Sequence, residues 1–379
     1  MTNQARTALP ALAPALAVEQ SAPGLENVVA AETVLSHVDG AAGRLIVRGH
    51  DLDSLADRSF EAVLALLWRD LAPEPMEEDD IRTALGRARL RAFELMAPRL
   101  PATDGLSQVE ALRLLLSSLA DAEAGPHHVL AVAAVPVFAA AIARRGEGRA
   151  PVAPDAALGL AADFLRMLHG APAAPEKVKA LDTYLVTVAD HGLNASTFAA
   201  RVIASTKAGL FSSVIGGLCA LKGPLHGGAP GPVLDMLDAV ATPDNATAWL
   251  AGEISRGERL MGFGHRIYRV RDPRADALKT ALNRLGAAGG MDIDRLALAE
   301  AVERAALAAL RAAKPDRVLE TNVEFFTALL LEALGFPRDA FTGVFAAGRV
   351  GGWIAHAHEQ IETGRLIRPQ SVYVGPKAA

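Results

Sequence analysis

A histidine or carboxylate set beside glycines marks where a chain can do proton chemistry, because glycine lets backbone approach a ligand closely. Three such clusters occur. The first is GPLHGGAP, Gly223 to Pro230. His226 followed by Gly227 and Gly228 would stand at the sharp start of a helix, where the dipole disfavours imidazolium and keeps a neutral donor. The plainer reading is a helix-capping histidine in a turn. The second, RLMGFGHRIYRVRDPRA, runs from Arg259 to Ala275. Gly262 and Gly264 flank Phe263 just before His265, and arginines follow at 266, 269, 271 and 274. That composition suits an anion; the alternative is a solvated basic face on a surface helix. A dinucleotide fingerprint would need a glycine where Ile267 stands, and a preceding strand that the pattern lacks. In the third, ADHGLNASTFAAR from Ala189 to Arg201, Asp190, His191 and Asn194 interrupt an apolar pattern, and Ser196 or Thr197 can restart a helix. Buried polar groups need partners, so a structural network between helices is the other reading. In TNVEFF, Glu324 follows Thr321 at capping-box spacing, which fits a helix cap as well as a reactive carboxylate. Arg349 and Arg368 lie in segments rich in small or turn residues, where a guanidinium can face a cleft.

Other chemistries find no support. GxSxG, GxxxxGK[ST] and HExxH are all missing from the chain, and His356 and His358, two apart, fall on different helix faces, a poor metal pair. Cys219 is the only cysteine, so neither a disulfide nor a cysteine-based zinc site can form within one chain, which fits a reducing cytoplasm. A net charge of -5 without any Lys/Arg block excludes nucleic acid as a partner. The apolar run Val129 to Ala143 contains Pro136 and is shorter than the roughly 20 residues a membrane crossing needs, so it reads as a buried core helix. Residues 1–22, rich in Ala and Pro, read as a disordered tail; an organellar leader is the alternative.

Something must hold these clusters together, and the chain is helical nearly throughout. At 379 residues, with 51% hydrophobic and only 5% aromatic residues, it can fill two helical domains with Ala, Leu and Val. From Val34 to Gly49, Asp39-Gly40 separates two short alternating runs, a small hairpin and nearly the only strand signal. Behind Ser59, Phe60, Val63, Leu64, Leu67, Trp68 and Leu71 recur with helical spacing. Ser107 and Glu110 form a capping box ahead of a segment reaching Leu119, and Asp155 is expected to cap a helix running to His169. Breaks at Gly223-Pro224 and Lys314-Pro315 precede helices from Glu324 to Leu334 and from Asp339 to about Thr363. The expected architecture is all-α with a minor N-terminal hairpin. A large helical domain over 23–222 is interrupted by a small domain over 223–320 and resumed over 321–379.

Taken in order, ADHGLNASTF, GPLHGGAP, MGFGHRIYRVRDPRA, NVEFF and the terminal RPQSVYVGP resemble the successive motifs of citrate synthases. The opening GLENVVAAETVLSHVDGAAGRLIVRGHDLDSLA resembles their N-terminal segment, so the likeness spans about Gly24 to Pro376. It implies a helical homodimer whose small domain closes over acyl-CoA and oxaloacetate, forming citrate by Si-type carbon–carbon condensation with no metal or redox cofactor and no membrane. By position, His226 is similar to the family histidine that donates to the thioester carbonyl, and His265 to the one that polarises the oxaloacetate ketone. Glu324 falls where the family usually has the aspartate that removes the α-proton. His191, Asn194, Arg274, Arg349 and Arg368 match oxaloacetate positions, with Arg368 expected to cross to the partner subunit's site. Leu260, Met261, Gly262, Phe263 and Gly264 match the CoA segment, with Arg269, and behind it Arg271 or Arg317, for the phosphates.

Two departures point to a divergent branch. Glu324 adds a methylene to the usual base, and Ala229-Pro230-Gly231 stands where many members have Ala-Asn-Glu. The alternatives to citrate formation are 2-methylcitrate formation from propionyl-CoA and a catalytically silent paralogue. One methylene in a substrate is worth only about 1–3 kcal/mol of discrimination, so the two thioesters stay close competitors.

Overall fold

The computed structural model describes residues 24–25, 28–70, 76–227, 230–265 and 267–376. The expected tail, Leu71, Arg266 and the Gly228-Ala229 step lie outside the described residues. Thr33–Ile367 form the main body, and the segments ending at Glu32 and beginning at Arg368 are a unit of their own.

The main body opens with a three-stranded antiparallel sheet, β1 (Ser36–Asp39), β2 (Arg44–Val47) and the two-residue β3 (His50–Asp51), in the order β1-β2-β3. Its register pairs Ser36 with Val47 and Asp39 with Arg44, so the connection spans residues 40–43 rather than a tight Asp39-Gly40 turn. Asp39 makes the longer loop work by accepting from the backbone N–H groups of Ala41 and Ala42 at 3.1 and 2.9 Å.

Helices follow: α1 (Leu52–Leu55), α2 (Phe60–Trp68), α3 (Glu78–Met96), α4 (Gln108–Ser117), α5 (His127–Gly146), α6 (Leu160–His169) and α7 (Pro175–Val188). Then come α8 (Ala195–Ala204), α9 (Leu210–Leu221), α10 (Pro230–Val240), α11 (Ala246–Ser255), α12 (Pro273–Ala287), α13 (Ile293–Ala313), α14 (Val323–Ala333) and α15 (Phe341–Thr363). The local signals act as expected at α2, where the Ser59 hydroxyl accepts from Ala62 N at 3.1 Å, and at α4, where the Ser107/Glu110 box closes. Two expectations are corrected. Gly159, not Asp155, precedes α6, and the carboxylate that meets its first N–H comes from α2: Leu160 N donates to Glu61 Oε1 at 2.7 Å. Asn322, not Thr321, caps α14 by accepting from Glu324 N at 3.2 Å, while Thr321 Oγ1 donates to Glu303. A tertiary carboxylate won the first contest and a one-residue shift of frame the second.

α5 is long and apolar enough to span a bilayer by composition, yet its residues from Val129 to Ala143 are buried inside the main body. α15 is buried along nearly its whole length and packs against α5, α7, α8 and α9. It brings Arg349, Trp353 and His356 up against the loop between α7 and α8. A buried network fixes that loop: Arg201 of α8 donates to His356 Nδ1 at 3.0 Å, so the imidazole donates from Nε2 to Asp190 at 3.1 Å.

Candidate active site

His191 lies in the loop between α7 and α8, buried beside Asp190. Its Nε2 is 3.2 Å from the Tyr268 hydroxyl, and its ring centre is 5.7 Å from that of His265. Asn194 caps α8: Oδ1 accepts from Ser196 N and Thr197 N, both at 3.1 Å, and Nδ2 donates to Thr197 Oγ1 at 2.9 Å.

The segment before His265 is pinned to the segment before α14. Gly264 N donates to Glu320 O at 2.7 Å, Asn322 N donates to Gly262 O at 3.0 Å, and Asn322 Nδ2 donates to Gly264 O at 3.0 Å. Gly262 has φ +87°, and a methyl there would come within 2.8 Å of Phe325, so only glycine fits. His265 Nδ1 accepts from Ile267 N at 3.0 Å and from Tyr268 N at 3.1 Å, which places the proton of the neutral ring on Nε2. That Nε2 sits 3.3 Å from Nη2 of Arg274. Guanidinium has no acceptor, so two N–H donors converge, and what they can share is an oxygen atom.

Arg274, in the first turn of α12, is buried and paired with the N-cap residue Asp272, with Nε to Oδ1 at 3.0 Å and Nη2 to Oδ2 at 2.8 Å. Burial opposes its charge, but Asp272 outweighs burial and the guanidinium is held more firmly protonated than usual. Arg349 is buried too, its Nε bonded to Val188 O and its guanidinium 5.0 Å from the centre of the Phe345 ring. Burial lowers its pKa to about 10 against the pull of Asp190, which still leaves a cation at neutral pH.

His226 lies in the turn after α9, its Nε2 2.9 Å from Ser196 Oγ. Trp353 Nε1 donates to the same hydroxyl at 3.1 Å. A ligand can therefore meet only Nδ1. Burial first, then Arg349 and Arg274, hold the His226 pKa down at about 4; burial and Arg274 do the same for His265, also at about 4. Burial drives His191 well down as well. All three rings are neutral at pH 7. Glu324 is the second residue of α14, and its Oε2 is enclosed with no hydrogen-bond partner among the described residues. Burial pushes that carboxyl up, against the attraction of Arg274. Arg274 thus acts on three imidazoles and one carboxylate at once.

Leu260 and Met261 line a cavity of about 230 Å³ with Pro232, Met236, Trp249 and Arg259. Phe263 is buried against Phe325. Arg269 is exposed and its N–H is bonded to the hairpin, whereas Arg271 is spent on Asp276 and Glu303, and Arg317 is exposed. Arg368 belongs to the terminal unit.

Residues 24–370 match the family model described as "Citrate synthase, C-terminal domain". The citrate synthase of Haloferax volcanii is 40% identical over 370 residues, covering 93% of this chain and 96% of that one. The chain belongs to the citrate synthase family. The 2-methylcitrate synthase of Mycobacterium tuberculosis is 36% identical over 367 residues, covering 93% and 90% of the two chains. A solved ternary complex of carboxymethyl coenzyme A and oxaloacetate with citrate synthase from Thermoplasma acidophilum superposes with a TM-score of 0.83 at 27% identity, over 96% of this chain and 98% of that one.

Several residues around these histidines take roles that the motifs alone do not assign. Ser196 and Trp353 hold His226, Tyr268 holds His191, and Asp272 balances Arg274. Tyr184 of α7 is fully buried, its hydroxyl without a partner among the described residues, in the fields of Arg349, Glu324 and Arg274. Ser196, Tyr268 and Asp272 lie inside the quoted motifs, Ser196 as a candidate helix start and Asp272 as the start before Pro273, whereas Tyr184 and Trp353 carried no signal.

Proposed function

We propose that this chain condenses acetyl-CoA with oxaloacetate and water to give citrate and CoA. The reading rests above all on His265 Nε2 and Arg274 Nη2, 3.3 Å apart, which as two donors suit one acceptor oxygen set between them. A ketone oxygen next to a carboxylate suits that pair, and the buried Arg349 suits the second carboxylate.

In this reading Glu324 removes the α-proton of the thioester, a step that a carboxylate manages only when the developing enolate is met by a ready donor in a dry site. Nδ1–H of His226 is that donor once the Ser196 hydroxyl turns its proton from Asn194 Oδ1 to His226 Nε2. The enol carbon attacks the ketone carbon of oxaloacetate while His265 and Arg274 stabilise the new alkoxide. Water then cleaves the citryl thioester, releasing CoA and citrate. No electron leaves the reactants, so the chemistry calls for no redox cofactor, and the donors take the place of a metal. The cavity at Leu260 and Met261 suits the adenine end of CoA, with Gly262, Phe263 and Gly264 leading from it toward His265 and Arg269 available to a phosphate. We assign the chain to the cytoplasm and to a homodimer in which Arg368 reaches the partner subunit's oxaloacetate. His191 orients the same ligand through Tyr268, and Asn194 acts by capping α8.

The 36% identity to a 2-methylcitrate synthase favours propionyl-CoA as the second reading. Steady-state thiol release with acetyl-CoA and with propionyl-CoA, each with and without oxaloacetate, separates them. Oxaloacetate-dependent release that favours acetyl-CoA and is lost in His226→Ala and Glu324→Gln supports citrate formation. A large preference for propionyl-CoA overturns it, and no release with either thioester makes the chain a silent paralogue.

A further inference from the structure

The N-terminal hairpin touches both loops that carry the paired histidines. At its base, the Ser36 hydroxyl accepts from Gly192 N at 2.8 Å and also bonds the buried Asp190 carboxylate, the residues on either side of His191. At its tip, Gly40 O accepts from Arg269 N at 2.8 Å, and a methyl on Gly40 would come 2.4 Å from the carbonyl oxygen of Ile267. Ile267 N is one of the two donors that fix the His265 ring. Four residues of extended chain make a strut of roughly 13 Å between base and tip. Pairing with β2 stiffens it, as do the two bonds that Asp39 accepts from the loop and the buried side chains of Leu35, Leu45 and Val47.

We propose that this hairpin is a strap that sets the spacing of His191 and His265, with Ser36 and Gly40 as its positioning residues. The inference deepens the oxaloacetate reading above and rests on it. Ser36 and Gly40 need touch no substrate, because they act through the loops at residues 190–192 and 267–269. The strap bears first on the ketone-polarising side of the site, and reaches His226 only at third hand, through Gly192, Asn194 and Ser196.

The test uses the full chain with Gly40→Ala, whose methyl must push the Ile267 carbonyl away. Because misplacement by about 1 Å costs on the order of a hundredfold, kcat should fall about 100-fold while KM for the acyl-CoA stays within about threefold. The ¹³C resonance of the ketone carbon of bound oxaloacetate should move back toward its free value, a change that simple loss of folded protein would not produce. Ser36→Ala should lose activity in the same way and Ser36→Thr, which keeps the hydroxyl, should recover it; this pair decides the matter if Gly40→Ala does not fold. An active wild type with an unshifted ketone resonance and unchanged kcat in Gly40→Ala and Ser36→Ala overturns the strap and leaves the oxaloacetate reading standing. A wild type without oxaloacetate-dependent thiol release takes down both.

Discussion

Asp272→Asn isolates the charge balance on which substrate binding depends. Asn is as good an N-cap as Asp, and its Oδ1 can keep the bonds from Arg274 N and Nε, both at 3.0 Å. The second oxygen, 2.8 Å from Arg274 Nη2, becomes an N–H group that faces another donor. A buried cation is then left without its counter-charge, and removing one partner of such a pair costs about 3–5 kcal/mol. At about 2.1 cal/mol/K per residue the 379-residue chain unfolds with ~0.8 kcal/mol/K, so Tm should fall by roughly 4–6 °C without ligand. A dicarboxylate brings the missing charge with it. Oxaloacetate should therefore raise Tm more in the variant than in the wild type, as followed by thermal melts over a ligand titration. Equal ligand-induced gains in the two proteins would refute the assignment of Arg274 to the dianion.

Gly262→Ala forces an L-residue to φ +87° against Phe325, costing about 1–2 kcal/mol in backbone strain and about 1–3 kcal/mol in overpacking. Urea melts should show that sum and steady-state assays a fall in kcat, because the same segment leads into His265. The acid limb of kcat against pH should belong to Glu324, since His226 and His265 titrate near 4 and stay neutral above pH 5, while burial raises the carboxyl. Rate is lost as pH falls through that raised value, and a limb that does not move in Glu324→Asp would refute the assignment. Burial, and then the charge of Glu61, raise Asp182 from 3.8 to about 7, so its contribution to stability is full in acid and lost as pH rises through 7. At 1.36 kcal/mol per pH unit the loss builds from pH 3.8 to about 4 kcal/mol at pH 7, so Asp182→Asn should raise Tm most at pH 8, by less at pH 5 and not at all at pH 3.

Local rules carried the sequence reading as far as they reach. The caps at Ser59 and Ser107 and the hairpin from Ser36 to Val47 were legible because each is settled within a few residues of chain. The start of α6 was not, since the group that meets it, Glu61, lies 99 positions away. The same holds at the site. His226 and His265 stood out beside glycines. Tyr184 and Trp353 sit within apolar helical patterns, where a phenol or an indole reads as core filling until a tertiary partner is known. Asn194 stood out by its polarity, and the structure adds that its Oδ1 caps α8.

α15 presents Phe345, Arg349, Trp353, His356 and Glu359 to its neighbours at intervals of four, four, three and three residues. Each residue of a helix turns about 100°, so inserting or deleting a single residue early in α15 would swing the rest of that stripe away together. The helix works like a key whose teeth share one blade. Length changes should be tolerated in the loops that carry none of the histidines, but inside α15 even one would dismantle the Arg349 contact, the indole behind His226 and the Asp190 network in one stroke.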